Sequence, residues 1–370
     1  MEIERIELDH LRMKLRSPFE TSFGRIETRD CILVSVHAGG VVGYGECAAD
    51  ADPWYSYEDC ETAWHILRDY LAPDMLSNPV GDPLNCFSQF SVIKGHNMAK
   101  AGLEMAIWDL VGKQKHQSLK TMLGGEKDRV PVGVSVGIQK SPEVLLETVA
   151  GYLAQGYRRV KIKIKPGRDV GDAETVRQAY PDLKLQVDAN SAYTLESAGA
   201  LKGLDELDLL LIEQPLAEDD LWDHAKLQKE FSTPICLDES ITSLRHTRHA
   251  LEMQSCRIVN IKAGRVGGLG QAAAIHDLCR QQGVPVWCGG MLETGVGRAS
   301  NLALASLPNF VLPGDISASD RYYEEDITEE LFTLNDDSTI NVPEGAGLGV
   351  KLRQDVVKKV AVKSEVIHKN

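Results

Sequence analysis

Five short segments between residues 159 and 264 decide the fold of this chain, and each is an apolar run rich in β-branched residues. They are RVKIKI (159–164), KLQVDAN (184–190), LLLIEQP (209–215), PICLDES (234–240) and RIVNIKAG (257–264). Helical patterns such as AETVRQAY fill the gaps between them. Short apolar strands that alternate with helices are typical of βαβ units, and they therefore predict a parallel sheet.

Three further segments of the same kind extend this pattern in both directions. VPVGVSV (130–136) precedes the five, and PVWCGG (285–290) and FVLPG (310–314) follow them. Eight evenly spaced strands with right-handed crossovers predict a closed parallel barrel of the α/β class. A doubly wound open sheet is the alternative, but the count of eight and the even spacing favour the barrel.

The chain before the barrel has a different pattern and predicts a separate unit over residues 1–126. Antiparallel strands surround a loop, RSPFETSFGRIETR (16–29), and Gly39-Gly40 is a hairpin signal. A helical pattern then starts near Ser56. We assign residues 127–320 to the barrel, and we expect the tail, 321–370, to pack on the N-terminal unit.

Composition excludes several classes of function. The 370 residues include 43% hydrophobic and 25% charged residues and carry a net charge of −14, which argues against a nucleic-acid partner. The N-terminus lacks the pattern of a signal peptide, and no apolar run is long enough for a membrane span. Eight scattered cysteines without a C-x-x-C pair predict buried free thiols in a reducing cytoplasm.

One charged residue stands at the carboxyl end of each of the five central strands. In chain order these residues are Lys163, Asp188, Glu213, Asp238 and Lys262, at separations of 25, 25, 25 and 24 residues. Each separation is one βα unit, so all five side chains are expected at the same end of the barrel, where active sites lie. A single acidic residue there is commonly a helix cap, but five residues in one phase favour a site.

The types of these residues indicate metal-assisted proton chemistry. Three carboxylates offer only oxygen ligands, which suit Mg²⁺ or Mn²⁺, and no His or Cys joins them as zinc would require. Lys163 and Lys262 flank the carboxylates and are expected to face each other across the metal. Removal of a proton next to a carboxylate needs one lysine as a neutral amine, so a neighbouring cation, either Lys161 or the metal, is expected to lower its pKa.

At these positions the sequence resembles the enolase superfamily, in its muconate-lactonizing subgroup. The resemblance covers nearly the whole chain and implies a modified (β/α)7β barrel, a TIM-barrel variant, under an α+β capping domain built from the N-terminal part and the C-terminal tail. It implies Mg²⁺ held by Asp188, Glu213 and Asp238, and Lys163 and Lys262 as the acid/base pair. It also implies supporting roles for four residues, which are Lys161, Asn190, Glu239 and Asn260.

Longer motifs resemble one family within this subgroup, the o-succinylbenzoate synthases and N-succinylamino acid racemases. These motifs are PFETSFG (18–24), GYGECAA (43–49), NIKAGRVGG (260–268), GGMLETGVGRA (289–299) and PGDISASDRYY (313–323). The resemblance implies a dehydration in menaquinone biosynthesis, a racemisation, or both, and the same five residues serve either reaction. The alternatives are a muconate cycloisomerase, a dipeptide epimerase, whose D-x-D is absent because Ile316-Ser317 follow Asp315, and a barrel that binds metal without catalysis.

Six further residues are candidates for contact with a small carboxylate substrate. The resemblance makes the loop with Phe19, Ser22 and Phe23 a lid over the pocket, and an ordinary hairpin loop is the alternative. Arg265 pairs either with a substrate carboxylate or with a structural partner. Glu293 and Asp315 lie at the ends of strands seven and eight. Glu293 either hydrogen-bonds Lys262, contacts substrate or caps a helix, and Asp315 is a candidate for substrate contact. We also expect a homo-oligomer.

Overall fold

A four-stranded antiparallel sheet joins the two ends of the chain. The computed structural model describes residues 2–369. The strand order is β13–β1–β2–β3, so the C-terminal strand pairs with the N-terminal one. The strands are β1 (Arg5–Glu20), β2 (Arg25–Ala38), β3 (Val41–Cys47) and β13 (Ala361–His368). The tail therefore packs on the N-terminal unit, while the boundaries at 126 and 320 stay a prediction.

The turns of this sheet differ in how well the sequence predicts them. Gly39 and Gly40 form the expected hairpin, with φ of 60° and 74° that favour glycine. The expected loop over 16–29 is wrong, because β1 continues to Glu20 and the chain turns only between Thr21 and Gly24. The polar residues and the proline of this segment do not indicate a strand. Its pairing with β2 is also irregular before Phe19.

Helices cover one face of the sheet. They are α1 (Cys60–Ile66), α2 (Ala72–Ser77), α3 (Cys86–Gln89), α4 (Asn97–Lys115) and α5 (Leu119–Leu123). The helix expected from Ser56 begins at Cys60, because Asp59 and Thr62 form a reciprocal capping box there. The residues before Asp59 therefore lie outside the helix and extend towards the barrel.

The barrel contains seven parallel strands in sequential order. They are β5 (Val134–Val136), β6 (Arg159–Lys163), β7 (Lys184–Asp188), β8 (Ile212–Glu213), β9 (Ile235–Leu237), β10 (Ile258–Ile261) and β11 (Val286–Cys288). The connecting helices are α6 (Pro142–Ala154), α7 (Val170–Ala179), α8 (Leu221–Glu230), α9 (Leu244–Glu252), α10 (Ala263–Val266), α11 (Leu269–Gln281) and α12 (Gly295–Ala305). A 3-10 segment, Ala198–Glu206, replaces the helix between β7 and β8.

The eighth predicted strand, 310–314, closes the ring without forming a regular strand. Phe310 bridges to Val286 and Gly314 bridges to Val132, both in parallel. Pro313 lacks the N–H group that a continuous ladder needs. The result is the predicted modified (β/α)7β barrel.

The remaining elements connect the barrel to the tail. The strands β4 (Arg129–Pro131) and β12 (Thr339–Asn341) pair antiparallel, and α13 (Gln354–Val360) leads into β13. All eight cysteines are free and buried, as predicted. Within residues 2–369, no helix is long and apolar enough to cross a membrane.

Candidate active site

The five charged residues predicted from the repeat meet at the mouth of the barrel. Lys163, Asp188 and Glu213 are aligned across the ends of β6, β7 and β8. Asp238 and Lys262 directly follow β9 and β10. The three carboxylates are fully buried. Because the carboxyl ends of parallel strands share one face, the strand order alone brings these side chains together.

Lys161 forms the centre of the charged network beneath this mouth. Its Nζ lies 2.7 Å from Glu213 Oε2, 3.0 Å from Asp188 Oδ2 and 2.6 Å from Asp315 Oδ2. The Trp287 ring lies 4.9 Å from the same Nζ. Burial lowers the pKa of Lys161, but the carboxylates of Asp315, Glu213 and Asp188 together raise it well above its ordinary value. Lys161 is therefore a permanent cation that holds acidic side chains in place.

Lys163 heads a chain of hydrogen bonds along one side of the mouth. Its Nζ donates to Asp188 Oδ2 at 2.6 Å and to Asn190 Oδ1 at 2.7 Å. The Asn190 amide donates in turn to Glu239 Oε1 at 2.8 Å. Burial and the charge of Asp238 raise the pKa of Glu239 to about 8. Asn190 and Glu239, expected as supporting residues, thus orient Lys163.

Lys262 occupies the opposite side of the mouth, against Asp238 and Tyr55. Its Nζ lies 2.8 Å from Asp238 Oδ2, 3.0 Å from the Tyr55 hydroxyl and 4.3 Å from the centre of the Tyr55 ring. Burial lowers the pKa of Lys262, but Asp238 outweighs this effect and raises it. In this arrangement the expectation of a lowered lysine pKa is not met at Lys262, although Arg265 acts in the expected direction.

The pKa values of the three carboxylates shift in different directions because their neighbours differ. Burial raises the pKa of Asp188, but Lys163 and Lys161 lower it below its ordinary value. Asp238 behaves in the same way, beside Lys262 and Arg265. Burial and the charge of Asp188 raise the pKa of Glu213 well above its ordinary value. Glu213 therefore lies in a row of three carboxylates and is affected by the negative charge of its neighbours. Its Oε1 also accepts a hydrogen bond from Asn260 Nδ2 at 2.8 Å.

The carboxylates of Asp188, Glu213 and Asp238 have the oxygen atoms that a divalent cation prefers. Their side chains are not arranged around a common point that could hold the ion. Within residues 2–369, no three His, Cys, Asp or Glu side chains are grouped so that they could hold a metal ion as they stand. Lysine ammonium groups instead lie against the oxygens of Asp188 and Asp238. A cation such as Mg²⁺ would relieve the mutual repulsion that raises the pKa of Glu213. The three buried carboxylates on adjacent strands are therefore suitable metal ligands.

An open cavity of about 670 Å³, including its mouth, lies above the network. Lys163 and Lys262 both line it. The other lining residues include Phe19, Thr21, Phe23, Asp50, Tyr55, Ser135, Met291, Leu292 and Tyr322. The Ser22 hydroxyl donates to the Asn190 carbonyl at 3.1 Å. The expected lid residues Phe19, Ser22 and Phe23 therefore lie over the barrel mouth.

Two further candidates, Arg265 and Asp315, have structural partners. Arg265 is buried and pairs with Asp238 through Nη1. Asp315 pairs with Lys161 and also with Arg159, whose Nη1 lies 2.8 Å from Asp315 Oδ1. The pairing of Arg265 agrees with the structural alternative given for it. Asp315 forms ion pairs that the sequence did not predict, and it also lines the cavity.

Glu293 makes local hydrogen bonds, but it does not cap the helix that follows it, because the N-cap of α12 is Thr294. It accepts hydrogen bonds from the Met291 N–H at 2.7 Å and from Asn301 Nδ2 at 2.9 Å. Its hydrogen bonds do not include Lys262, which pairs with Asp238 and Tyr55 instead. The hydrogen bonds of Glu293 therefore match neither the contact with Lys262 nor the helix cap, and a contact with substrate stays a prediction.

Two residues of the network did not emerge from the sequence. Tyr55 belongs to the aromatic stretch PWYSYED (53–59) and directly precedes the helical pattern predicted from Ser56. Arg159 begins the strand segment RVKIKI, and strand alternation places it on the same face as Lys161 and Lys163. That alternation was a usable signal for Arg159, whereas nothing local indicates that Tyr55 reaches the barrel.

Comparison with protein families matches both parts of the chain. Residues 5–124 match the N-terminal domain of the mandelate racemase / muconate lactonizing enzyme family. Residues 144–356 match the enolase C-terminal domain-like family. The first match lies within the N-terminal unit, and the second covers most of the barrel and part of the tail.

Relatives with similar sequences span the full chain. An o-succinylbenzoate synthase of Geobacillus stearothermophilus is 51% identical over 99% of this chain and 98% of its own length. An N-succinylamino acid racemase of Amycolatopsis is 49% identical over 95% of both chains. The crystal structure of an enolase superfamily member from Listeria innocua superposes over 100% of both chains with a TM-score of 0.96 and 43% identity.

Proposed function

The chain belongs to the enolase superfamily, in the mandelate racemase / muconate lactonizing enzyme family, and on this basis we propose that it removes a proton next to a carboxylate in a small-molecule substrate. One observation carries the proposal. Lys163 and Lys262 line one cavity from the two ends of a row of buried carboxylates. Two proton-transfer groups on opposite sides of a substrate are what such a reaction needs.

The reaction is that of an o-succinylbenzoate synthase, an N-succinylamino acid racemase, or both. The first is a lyase that dehydrates its substrate in menaquinone biosynthesis, and the second inverts the α-carbon of an N-succinyl amino acid. Relatives of both names cover nearly the whole chain at about half identity. Both reactions begin with loss of the same kind of proton, so one site can serve both.

Asp188, Glu213 and Asp238 would hold Mg²⁺, or Mn²⁺ in its place. When bound, the metal supplies positive charge beside the substrate carboxylate and so stabilises the anion left by proton removal. Lys163 and Lys262 now pair with Asp188 and Asp238, and either lysine would lose its proton more readily without that pairing. The buried Lys161 remains fixed through its contact with Asp315.

Lys163 and Lys262 have different roles in the two reactions. In dehydration, Lys163 Nζ takes the α-proton and Lys262 stabilises the developing negative charge. The C–O bond to the β-hydroxyl group then breaks, and that group leaves as water after it receives a proton from the Lys163 ammonium group. In racemisation, one lysine takes the proton from one face of the α-carbon and the other returns a proton to the opposite face. Phe19 and Phe23 close the cavity from above and keep water away from the α-carbon.

Deuterium exchange tests this proposal directly. The purified protein with Mg²⁺ is incubated in D₂O with both enantiomers of several N-succinyl amino acids, with the dehydration substrate in parallel, and followed by NMR. We expect α-deuterium in the amino acids, dehydration of the other substrate, or both. Dipeptides and muconate serve as the alternative substrates, and turnover of these alone would replace the proposal. Absence of every reaction would contradict it. A cytoplasmic location stays a prediction, which the eight free thiols support.

A further inference from the structure

The two edge strands of the antiparallel sheet differ in whether other residues bind their free backbone groups. On the β3 edge, the side chains of α4 bind the free backbone groups. Asp109 accepts a hydrogen bond from the Tyr44 N–H at 2.8 Å, and Lys113 donates to the Val42 carbonyl at 2.8 Å. Gly43 and Gly45 let the helix approach so closely that an added Cβ would collide with it. This edge is closed to any partner strand.

The opposite edge, β13, lacks such cover. Within residues 2–369, residues 362–368 make no backbone hydrogen bond outside the ladder with β1. Two valines on this strand, Val362 and Val366, are 53% and 49% exposed. An edge strand with free N–H and C=O groups and exposed apolar side chains is a template for another strand. The β13 edge therefore invites a partner, whereas the β3 edge does not.

The sequence of β13 fits a second copy of itself in antiparallel register. When Ser364 lies opposite Ser364 of a second copy, Val362 faces Val366 and Lys363 faces Glu365. Both pairs occur twice because of the two-fold symmetry. Residues directly opposite each other lie on the same face of a sheet, so the apolar pair lies on one face and the charged pair on the other.

The surrounding contacts agree with this register. Lys363 and Glu365 lie opposite His10 and Leu8 of β1, on the sheet face that packs against the helices. There Lys363 Nζ lies 4.4 Å from the centre of the Trp64 ring and 3.3 Å from Glu61. This contact holds the lysine near the edge without removing it from reach of an approaching carboxylate.

We propose that two copies of this chain associate through β13, in antiparallel register centred on Ser364, to form a continuous eight-stranded sheet. We assign the partner as a second copy because opposite charges and exposed valines match when this strand meets itself in this register. The association does not depend on the reaction at the barrel mouth.

Engineered disulfides test the register. In Ser364→Cys the two thiols face each other at a Cα separation of roughly 4.5 to 5.5 Å, which a disulfide spans. In Val362→Cys the two thiols lie four residues out of register, roughly 13 Å apart. All native cysteines are buried, so the introduced thiol alone is accessible for oxidation. We expect cross-linked dimers in Ser364→Cys and in the double variant Val362→Cys/Val366→Cys, and none in Val362→Cys. Failure of Ser364→Cys to cross-link, or equal cross-linking of Val362→Cys, would overturn the proposal.

A charge exchange provides an independent test by sedimentation velocity on the full chain. Wild type is expected to sediment as a dimer or a larger even-numbered assembly. Lys363→Glu and Glu365→Lys each place like charges opposite each other, and we expect each to raise the dimer dissociation constant at least tenfold. The double exchange is expected to return it to within about threefold of wild type.

The control for the charge exchange is Glu61→Gln, which removes the partner of Lys363 within the chain and is expected to leave association unchanged. Circular dichroism verifies that each variant is folded. A wild-type monomer up to about 100 µM, or a double exchange that fails to restore association, contradicts the proposal.

Discussion

Two regions of this molecule contain buried carboxylates whose partners differ in kind. At the barrel mouth, Asp188 and Asp238 face the flexible side chains of lysines beside an open cavity. At the junction between the antiparallel unit and the barrel, Glu46 and Glu104 face rigid backbone N–H groups. The first kind of partner can be exchanged for a ligand, and the second cannot.

The junction glutamates each cap a barrel helix from the other structural unit. Glu104 of α4 accepts hydrogen bonds from the Leu269 and Gly270 N–H groups at 2.8 and 2.9 Å, at the start of α11. Glu46 of β3 accepts from the Thr294 hydroxyl at 2.6 Å and from the Gly297 N–H at 3.0 Å, at the start of α12. Burial raises the pKa of both carboxyls to about 7. Burial of a carboxylate therefore indicates a reactive site only where its partners are mobile and space adjoins it.

Removing a lysine from the mouth is the largest expected perturbation. Lys163→Ala or Lys262→Ala should lower the rate of α-proton exchange by about 10² to 10⁴, because each removes a proton-transfer group. Deuterium uptake measured by NMR checks this result. Lys165→Ala is the matched control, since Lys165 follows the same strand but pairs with Glu20 at the rim. Unchanged exchange in both site variants would contradict the mechanism.

Removal of metal should affect the mouth and leave the junction intact. Treatment with a chelator is expected to lower activity more than about 100-fold, with recovery in Mg²⁺ or Mn²⁺. Mg²⁺ at 100 times its dissociation constant should add about 2.7 kcal/mol to the free energy of unfolding. Glu213→Gln should lose this stabilisation, whereas Glu104→Gln, the same change at the junction, should retain it. Equal Mg²⁺ stabilisation of both variants would argue against the carboxylate row as the metal site.

Truncation of a junction carboxylate should reduce stability rather than catalysis. Glu104→Ala leaves two helix N–H groups and the Trp108 indole without their partner, which is expected to cost about 1 to 3 kcal/mol in urea unfolding. The rate constant of the remaining folded enzyme should stay within a few-fold of wild type. A loss of turnover without a loss of stability would contradict the assignment of Glu104 to stability rather than catalysis.

The same glutamate should make stability depend on pH. Its folded-state pKa, about 7, lies above the ordinary value of 4.5, so the folded protein binds more protons than the unfolded chain between these values. The contribution of Glu104 to stability is therefore fully present below pH 4.5 and declines as the pH rises through 7. The unfolding free energy of wild type relative to Glu104→Gln should accordingly fall between pH 5 and pH 8. A difference independent of pH would refute this assignment.

Tyr55 belongs to the N-terminal unit but contacts residues at the barrel mouth, and its substitution should have the smallest effect on turnover. Tyr55→Phe keeps the ring beside Lys262 but removes a hydroxyl that donates to Asp238 Oδ1 at 3.1 Å. We expect the turnover rate to fall about tenfold, as for the loss of one hydrogen bond to a charged group. Steady-state kinetics check this, with Tyr57→Phe, an exposed tyrosine of the same segment, as control. Equal rates in the two variants would remove Tyr55 from the site.

Much of the site could be predicted because it follows from a repeat. Lys163, Asp188 and Glu213 recur at one βα interval, and strand register then aligns them across the sheet. The contacts of Tyr55 and Ser22 could not be predicted in this way. They join positions far apart in the chain, and their partners depend on how the two units pack together.

The sequence by itself determined the order of strands, the parallel barrel and the ring of charged residues at its mouth, because apolar periodicity and unit length are local properties of the chain. Only the tertiary structure decided which partner each charge has. Arg265 faces Asp238 rather than open space, and Glu293 accepts backbone and amide hydrogens rather than the Lys262 ammonium. Such pairings depend on distances between elements of distant sequence, which packing sets and periodicity does not encode.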